Sequence, residues 1–325
     1  MTVMNVRRHH IPVTVIAAAT VLGLGTLSAC SSDSDAADAD SGGKLDVVAS
    51  FYPMQFLAEQ IGGDHVAVTS LTEPGQEPHD LEISAKQTAQ LQESDVVLYL
   101  KNLQPSVDDA VAQSEIRTKV DAASLTKLEN HGNTGHDHEG EEEHAGEEEE
   151  ESGLDPHIWL DPVRYAQVAE GVGKALEKAD PDNAADYEKN TAALTKKLGD
   201  LNTQFAQGLK NTDSKVFFTN HSAFGYLAER YGLTQESISG LDPESEPSAA
   251  RVKELQQEAK ADGVTTVFYE TLVSDKTAKT LADDAGLKTD VLDPLEGITD
   301  KSKGDDYLAV MESNLTALEK ALGAK

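Results

Sequence analysis

Three histidines, His79, His157 and His221, are spaced far apart along the chain, yet each stands where folding could bring its imidazole to a common metal ion. His79 lies in Pro74-Gly75-Gln76-Glu77-Pro78-His79-Asp80, a turn rich in Gly and Pro that follows an apolar run. His157 lies in Leu154-Asp155-Pro156-His157-Ile158-Trp159-Leu160-Asp161, which also holds the only tryptophan. His221 directly follows the apolar run Lys215–Asn220, and Asp293 follows Lys288–Leu292 in the same way. Three neutral imidazoles and one carboxylate make a four-coordinate set that Zn²⁺ accepts, with nitrogens at roughly 2.0–2.1 Å. Mn²⁺ favours more oxygen donors, whereas copper and nickel bind such a set at least as well as zinc, so donor type points to zinc without excluding those two. Any one histidine taken alone is more often a surface or hydrogen-bonded residue, and it is the shared placement that carries the reading. Glu77, Asp80, Glu82, Asp161 and Glu270 read as neighbours of the ligands, and Trp159 as a packing residue beside them.

The elements that must position these residues alternate between short apolar strands and helices. In the first half, strands are predicted at Leu45–Phe51, His65–Leu71 and Asp95–Leu100, with helices at Met54–Ile61 and Ala85–Ser94. In the second half, strands at Lys215–Asn220, Val264–Glu270 and Lys288–Leu292 alternate with helices at Ser222–Tyr231, Ala249–Ala261, Asp275–Ala285 and Asp305–Leu322. That alternation predicts an α/β protein with parallel-type sheets flanked by helices. Ligands of such sheets gather at the carboxyl ends of the strands, which is where His79, His221 and Asp293 fall. Between the halves come a helix at Val163–Ala179, a stop at Asp180-Pro181-Asp182, and a long helix at Ala184–Leu209. Tyr187, Leu194, Leu198, Leu201, Phe205 and Leu209 form one apolar stripe on the long helix. It would run about 40 Å, enough to cross the molecule. The expected organisation is an N-terminal lobe at 44–180, a linking helix at 181–211 and a C-terminal lobe at 212–325, with the metal site in the cleft between lobes. No internal sequence repeat is evident.

The remaining segments describe where the chain works. Arg7 and Arg8, then an apolar stretch from Ile11 to Leu27, read as a signal peptide over residues 1–29. Its end, Leu27-Ser28-Ala29-Cys30, resembles the bacterial lipobox, which would make Cys30 the lipidated first residue and anchor the protein to the membrane. Residues 30–43 are small, polar and acidic and read as a tether. With no other apolar run near 18 residues, the rest is expected to be extracytoplasmic and soluble. A single cysteine leaves no disulfide, and a net charge of −31 excludes a generic nucleic-acid binder. The run 131–151 holds His131, His136, His138, His144 and nine glutamates. It cannot bury apolar area, so it is expected to be a loose loop that gathers metal weakly.

From Lys44 to Lys325 the chain resembles the zinc-binding lipoproteins of ABC importers, the ZnuA-type branch of the cluster A-I (cluster 9) solute-binding proteins. The resemblance rests on the stretches around His79 and His157, on Asn220-His221-Ser222-Ala223-Phe224-Gly225-Tyr226, and on Leu292-Asp293-Pro294-Leu295-Glu296-Gly297. It implies two lobes joined by a rigid helix, with His79 and His157 from the first lobe and His221 and an acid from the second. It also implies a smaller shape change on binding than in hinge-closing receptors. Zinc-type members keep histidine at the position of His221 and carry a His/acid-rich loop, whereas manganese-type members usually have glutamate there and no loop. The fourth ligand in relatives is an aspartate at the position of Asp293, a glutamate at that of Glu296, or water, and Asp293 is slightly preferred here. The implied function is capture of Zn²⁺ and delivery to an ABC permease by a monomer that performs no chemistry. The alternatives are a secreted zinc hydrolase, which lacks support from any His-Glu-x-x-His helix, and a manganese importer subunit or adhesin.

Overall fold

A computed structural model describes residues 43–131 and 153–325. The first lobe runs β1 (Leu45–Ala49), α1 (Tyr52–Gly62), β2 (Val66–Ser70), α2 (Ala85–Glu93), β3 (Val96–Tyr99), α3 (Pro105–Gln113) and β4 (Thr118–Asp121). Then come α4 (Pro162–Ala179) and α5 (Ala184–Gly208). The second lobe runs β5 (Val216–Thr219), α6 (Gly225–Tyr231), β6 (Thr234–Ser237), α7 (Ala249–Ala261), β7 (Thr266–Tyr269), α8 (Lys276–Ala285), β8 (Lys288–Val291) and α9 (Tyr307–Leu322). Each lobe holds a four-stranded sheet, ordered β2-β1-β3-β4 and β6-β5-β7-β8, and every pairing is parallel. The same strand order therefore occurs twice, although no repeat is visible in the sequence.

The helix starts follow from local chemistry. Pro53 and Pro162 fall in the first turns of α1 and α4, where a missing N–H costs nothing. Ser84 and Gln87 form a reciprocal capping box on α2, while Asp161, Ser248 and Asp306 accept main-chain N–H groups at the starts of α4, α7 and α9. The apolar stripe of α5 is buried at Tyr187, Leu194, Leu198, Leu201 and Phe205, as its spacing predicts. This 25-residue helix packs on α1 and α4 and also on α9, and so touches both lobes.

Three elements escaped the sequence reading: α3, β4 and β6. Both strands lie at sheet edges and read Thr-Lys-Val-Asp and Thr-Gln-Glu-Ser, without an apolar run to mark them. Their partners' backbone groups fix them as strands rather than their own composition.

One apolar core is continuous between the lobes. It includes Phe51, Phe56 and Trp159 from the first lobe, Phe205 of α5, and Phe217, Leu295 and Tyr307 from the second. The Trp159 indole N–H donates to the Pro294 carbonyl at 2.7 Å, and the Tyr307 hydroxyl donates to the Trp159 carbonyl at 2.5 Å. These buried bonds pin the lobes together beside His157, whose ring centroid is 5.2 Å from that of Trp159. No helix among the described residues is long and apolar enough to cross a membrane. Cys30 and the expected signal peptide lie outside the described residues, as do His136, His138 and His144.

Candidate metal centre

Register within the second sheet places its contribution to the site. Phe218 of β5 pairs with Val267 of β7, so His221 and Glu270, each three residues further on, leave the sheet side by side. Glu270 Oε1 lies 2.6 Å from Nδ1 of His221. These strands flank the point where the strand order reverses, the usual position of a ligand in an open parallel sheet. Tyr269 pairs with Val291 of β8, which brings Thr271 beside Asp293, and the Thr271 hydroxyl donates to Asp293 Oδ2 at 3.2 Å.

Asp293 then builds the turn that follows it. Its Oδ1 accepts the Leu295 N–H at 2.9 Å, and its main chain is held by Asn314, which accepts from the Asp293 N–H at 2.9 Å and donates to its carbonyl at 2.7 Å. Leu295 has φ 59°, the left-handed region that a leucine adopts only when its surroundings impose it. The turn carries the next side chain, Glu296, back into the cleft.

From the first lobe, His157 precedes a short 3₁₀ turn, Ile158–Leu160, and is fully buried. Asp155 Oδ1 accepts both the His157 main-chain N–H at 2.9 Å and its ring Nδ1–H at 2.7 Å. His79 enters from the loop after β2, with its main-chain N–H on Glu77 Oε1 at 3.1 Å. With Nδ1 of His157 and of His221 occupied by carboxylates, both imidazoles present Nε2 to the cleft.

All three Nε2 atoms meet at one oxygen. Glu296 Oε1 lies 3.1 Å from His79, 3.3 Å from His157 and 3.4 Å from His221, and the Nε2 atoms of His157 and His221 are 3.4 Å apart. A tetrahedron with donors near 2.05 Å from its centre has edges of roughly 3.3 Å. The three edges from Glu296 and the edge between His157 and His221 therefore have the length expected in a zinc-sized tetrahedron. His79, His157, His221 and Glu296 form a group whose ligand atoms all lie within 4.8 Å of one another. Glu296 Oε2 is buried with no hydrogen-bond partner, an acceptor that a cation would satisfy.

The electrostatics agree with that fit. Burial alone would raise the Glu296 carboxyl, but the three imidazoles hold it well below the usual range. Burial would likewise lower both buried histidines. Asp155 and Glu296 overcome it at His157, and Glu270 and Glu296 raise His221 well above the usual imidazole value. These imidazoles attract positive charge strongly, and a proton or a metal ion can supply it.

Residues 47–321 match the family described as zinc-uptake complex component A, periplasmic (ZnuA). The chain belongs to the ZnuA family. The high-affinity zinc uptake system protein ZnuA of Bacillus subtilis (strain 168) is 38% identical over 318 residues, which is 96% of this chain and 97% of that protein. The zinc-binding lipoprotein AdcA of Streptococcus pneumoniae (strain ATCC BAA-255 / R6) is 39% identical over 309 residues, 90% of this chain but 58% of AdcA. The chain thus spans little more than half the length of that curated relative. Among solved structures, the Zn(II)-bound ZnuA-like domain of S. pneumoniae AdcA matches with TM-score 0.71 and 36% identity, covering 86% of this chain and 99% of that one. The laminin-binding protein Lmb of Streptococcus agalactiae, described as having adhesin and metal-transporting activity, matches with TM-score 0.75 and 31% identity over the same shares.

Within this ZnuA-family chain the structure brings together His79, His157, His221 and Glu296. It places Asp293, the slightly preferred fourth residue, outside that group, since its carboxylate is engaged by Leu295 and Thr271. Sequence spacing sets only Asp293 at a strand end, Glu296 enters through the family resemblance alone, and neither shows the turn at Leu295 that aims Glu296 into the cleft. The motif around His157 contains Asp155, but its hold on both N–H groups of His157 emerges only from the structure. The signal was available: an aspartate two residues before a histidine, across a proline, is well placed to accept from both its N–H groups. His131 lies apart from the cleft, on Asp155 Oδ2 at 2.9 Å and near Glu229 Oε2 at 3.4 Å.

Proposed function

We infer that this protein captures Zn²⁺ outside the cytoplasm through His79, His157, His221 and Glu296 and delivers it to an ABC permease for import. The observation that carries the reading is the spacing of the donor atoms, 3.1–3.4 Å in the contacts that define the cluster. Three nitrogens and one oxygen at that spacing suit zinc better than manganese. Asp155 and Glu270 serve two ends: they fix the tautomers of His157 and His221, and they place negative charge behind the imidazoles that share the ion's positive charge.

The same geometry favours a carrier over a hydrolase. Glu296 takes the fourth corner, where a hydrolytic zinc would keep its water, and it is fully buried. The ion is cargo, and the residues around it bind and release it without changing it. Two ligands come from each lobe, so a small displacement of one lobe against the other separates His79 and His157 from His221 and Glu296 and lowers affinity. Docking on the permease is the event that would drive it. A lipid on Cys30 would hold the protein near that partner as a monomer, and the His/acid-rich run 131–151 would collect metal in fast exchange.

The test is metal stoichiometry and affinity of the purified protein. One tight Zn²⁺ per chain is expected, lost on His79→Ala or His221→Ala, with Co²⁺ giving a four-coordinate absorption spectrum. An anion-sensitive five-coordinate spectrum, or full affinity in those variants, would overturn the reading.

A further inference from the structure

The segment that carries His157 is tied to the second lobe at two further residues. Trp159 is bonded to Pro294, two residues before Glu296. Asp161 is bonded to Arg230 of α6, the helix that begins four residues after His221. Each ligand from the second lobe therefore has its own tie to the segment of His157. Asp161 read as a neighbour of the ligands, but its carboxylate engages Arg230.

Nε of Arg230 lies 2.7 Å from both oxygens of Asp161, and Nη2 lies 2.6 Å from Oδ2. A planar guanidinium held by two nitrogens fixes direction as well as distance, which a single ammonium contact does not. Asp161 is 1% exposed and Arg230 32%. A carboxylate buried to that degree is strongly disfavoured without its counter-charge, so the pair keeps the two segments together. Asp161 Oδ1 also accepts the Val163 N–H at 2.9 Å, which makes the same carboxylate the cap of α4. In turn, α6 packs on the 3₁₀ turn Ile158–Leu160, and its Tyr226 hydroxyl donates to the Asp155 carbonyl at 2.8 Å. The Arg164 guanidinium lies over the Tyr226 ring, 4.5 Å from its centroid. The first and last turns of α6 are thus held against the chain on either side of His157.

We propose that Asp161 and Arg230 are positioning residues of the zinc site, and that their ion pair sets the separation of His157 and His221. The Nε2 atoms of those histidines are 3.4 Å apart. Asp161 follows His157 by four residues, and only residues 222–224 separate His221 from α6. Rotation of α6 away from Asp161 draws His221 from His157 and widens that edge of the donor set, while Asp155 and Glu270 stay on their rings. The inference rests on the zinc-capture reading and deepens it: the pair governs how long a bound ion is held.

The experiment measures zinc dissociation from the full chain by transfer to a fluorescent chelator, below the melting temperature of each metal-free variant. Asp161→Asn keeps an acceptor for the start of α4 and loses the charge. Arg230→Met keeps the apolar stem and loses the guanidinium. Each should release zinc faster by roughly 2- to 30-fold, with Arg230→Lys between Arg230→Met and the parent. The double variant should be no faster than the faster single one, since both remove the same contact. It also leaves no buried carboxylate without its partner, so it reports on position even where Arg230→Met folds poorly. Residues that only stabilise the fold would lower the melting temperature and leave the release rate unchanged, and that result overturns the proposal. Rate increases that multiply in the double variant overturn it too, because the two residues would then act separately. A parent that holds no zinc tightly would instead sink the zinc-capture reading.

Discussion

Glu270 and His221 meet because their strands are paired in register. From the Phe218–Val267 pair, each chain runs three residues past the sheet, and the carboxylate arrives 2.6 Å from Nδ1 of the imidazole. The contact is both nearly buried and charge-assisted, so it sets which ring nitrogen carries the proton. Glu270→Gln keeps the size and loses the charge and the tautomer control. Zinc affinity should fall by roughly 10–100-fold, while one ion per chain still binds. Competition with a chelator of known affinity measures it, and an unchanged constant would show that Glu270 only packs.

Asp293 and Glu296 should respond in opposite ways. Glu296→Ala removes the oxygen on which three Nε2 atoms converge. The tight event should be lost, or kept only in a weaker form open to water. Asp293→Asn preserves an acceptor for the Leu295 N–H and should bind zinc within a few-fold of the parent. Asp293→Ala removes that acceptor and the one used by Thr271, so the turn loosens and affinity drops with stability. A hydrogen bond of this kind, left without its partner in a buried setting, costs about 1–3 kcal/mol. Thermal melts with and without zinc separate the two effects.

The contrast between these acids shows how far the sequence can be read. Strand ends are visible in runs such as Lys215–Asn220, and so the positions of His221 and Asp293 followed from pattern alone. The stripe from Tyr187 to Phe205 fixed the long helix for the same reason. What groups Glu296 rather than Asp293 with the three imidazoles is a turn with a positive φ at a leucine, which no propensity favours. The edge strands β4 and β6 were hidden because their composition is polar and their pairing is non-local. The bond between Asp155 and His131 was hidden for a related reason, since it joins residues 24 apart.

Zinc binding and stability should depend on pH in opposite senses. His221 has a folded-state pKa well above the usual imidazole value and His157 a raised one. A raised pKa gives the metal-free protein stability that is complete below the unfolded value and is lost as pH rises through the folded value. Metal needs the unprotonated nitrogens, so apparent zinc affinity rises over the same interval. The melting temperature of metal-free protein should fall as pH rises above the ordinary imidazole range, and the increment produced by zinc should widen. Calorimetry in buffers of different ionisation enthalpy should show protons released per zinc bound at neutral pH. A release of zero would contradict the raised values.

Trp159 offers a direct optical readout, because it is the only tryptophan and its ring centroid is 5.2 Å from that of His157. Protonated imidazole beside an indole quenches its emission, and replacement of that proton by a bound ion changes the quencher. Zinc should therefore shift the intensity of Trp159 fluorescence with a midpoint matching calorimetry, and His157→Ala should abolish the response. The same indole also ties the lobes through its N–H to Pro294, a residue two positions from Glu296. Trp159→Phe keeps most of the apolar contact and orphans the Pro294 carbonyl. It should cost about 1–3 kcal/mol of stability. It should also weaken zinc binding, because the turn that aims Glu296 is less firmly held. Retention of both stability and affinity in Trp159→Phe would mean that the continuous core alone fixes the lobes.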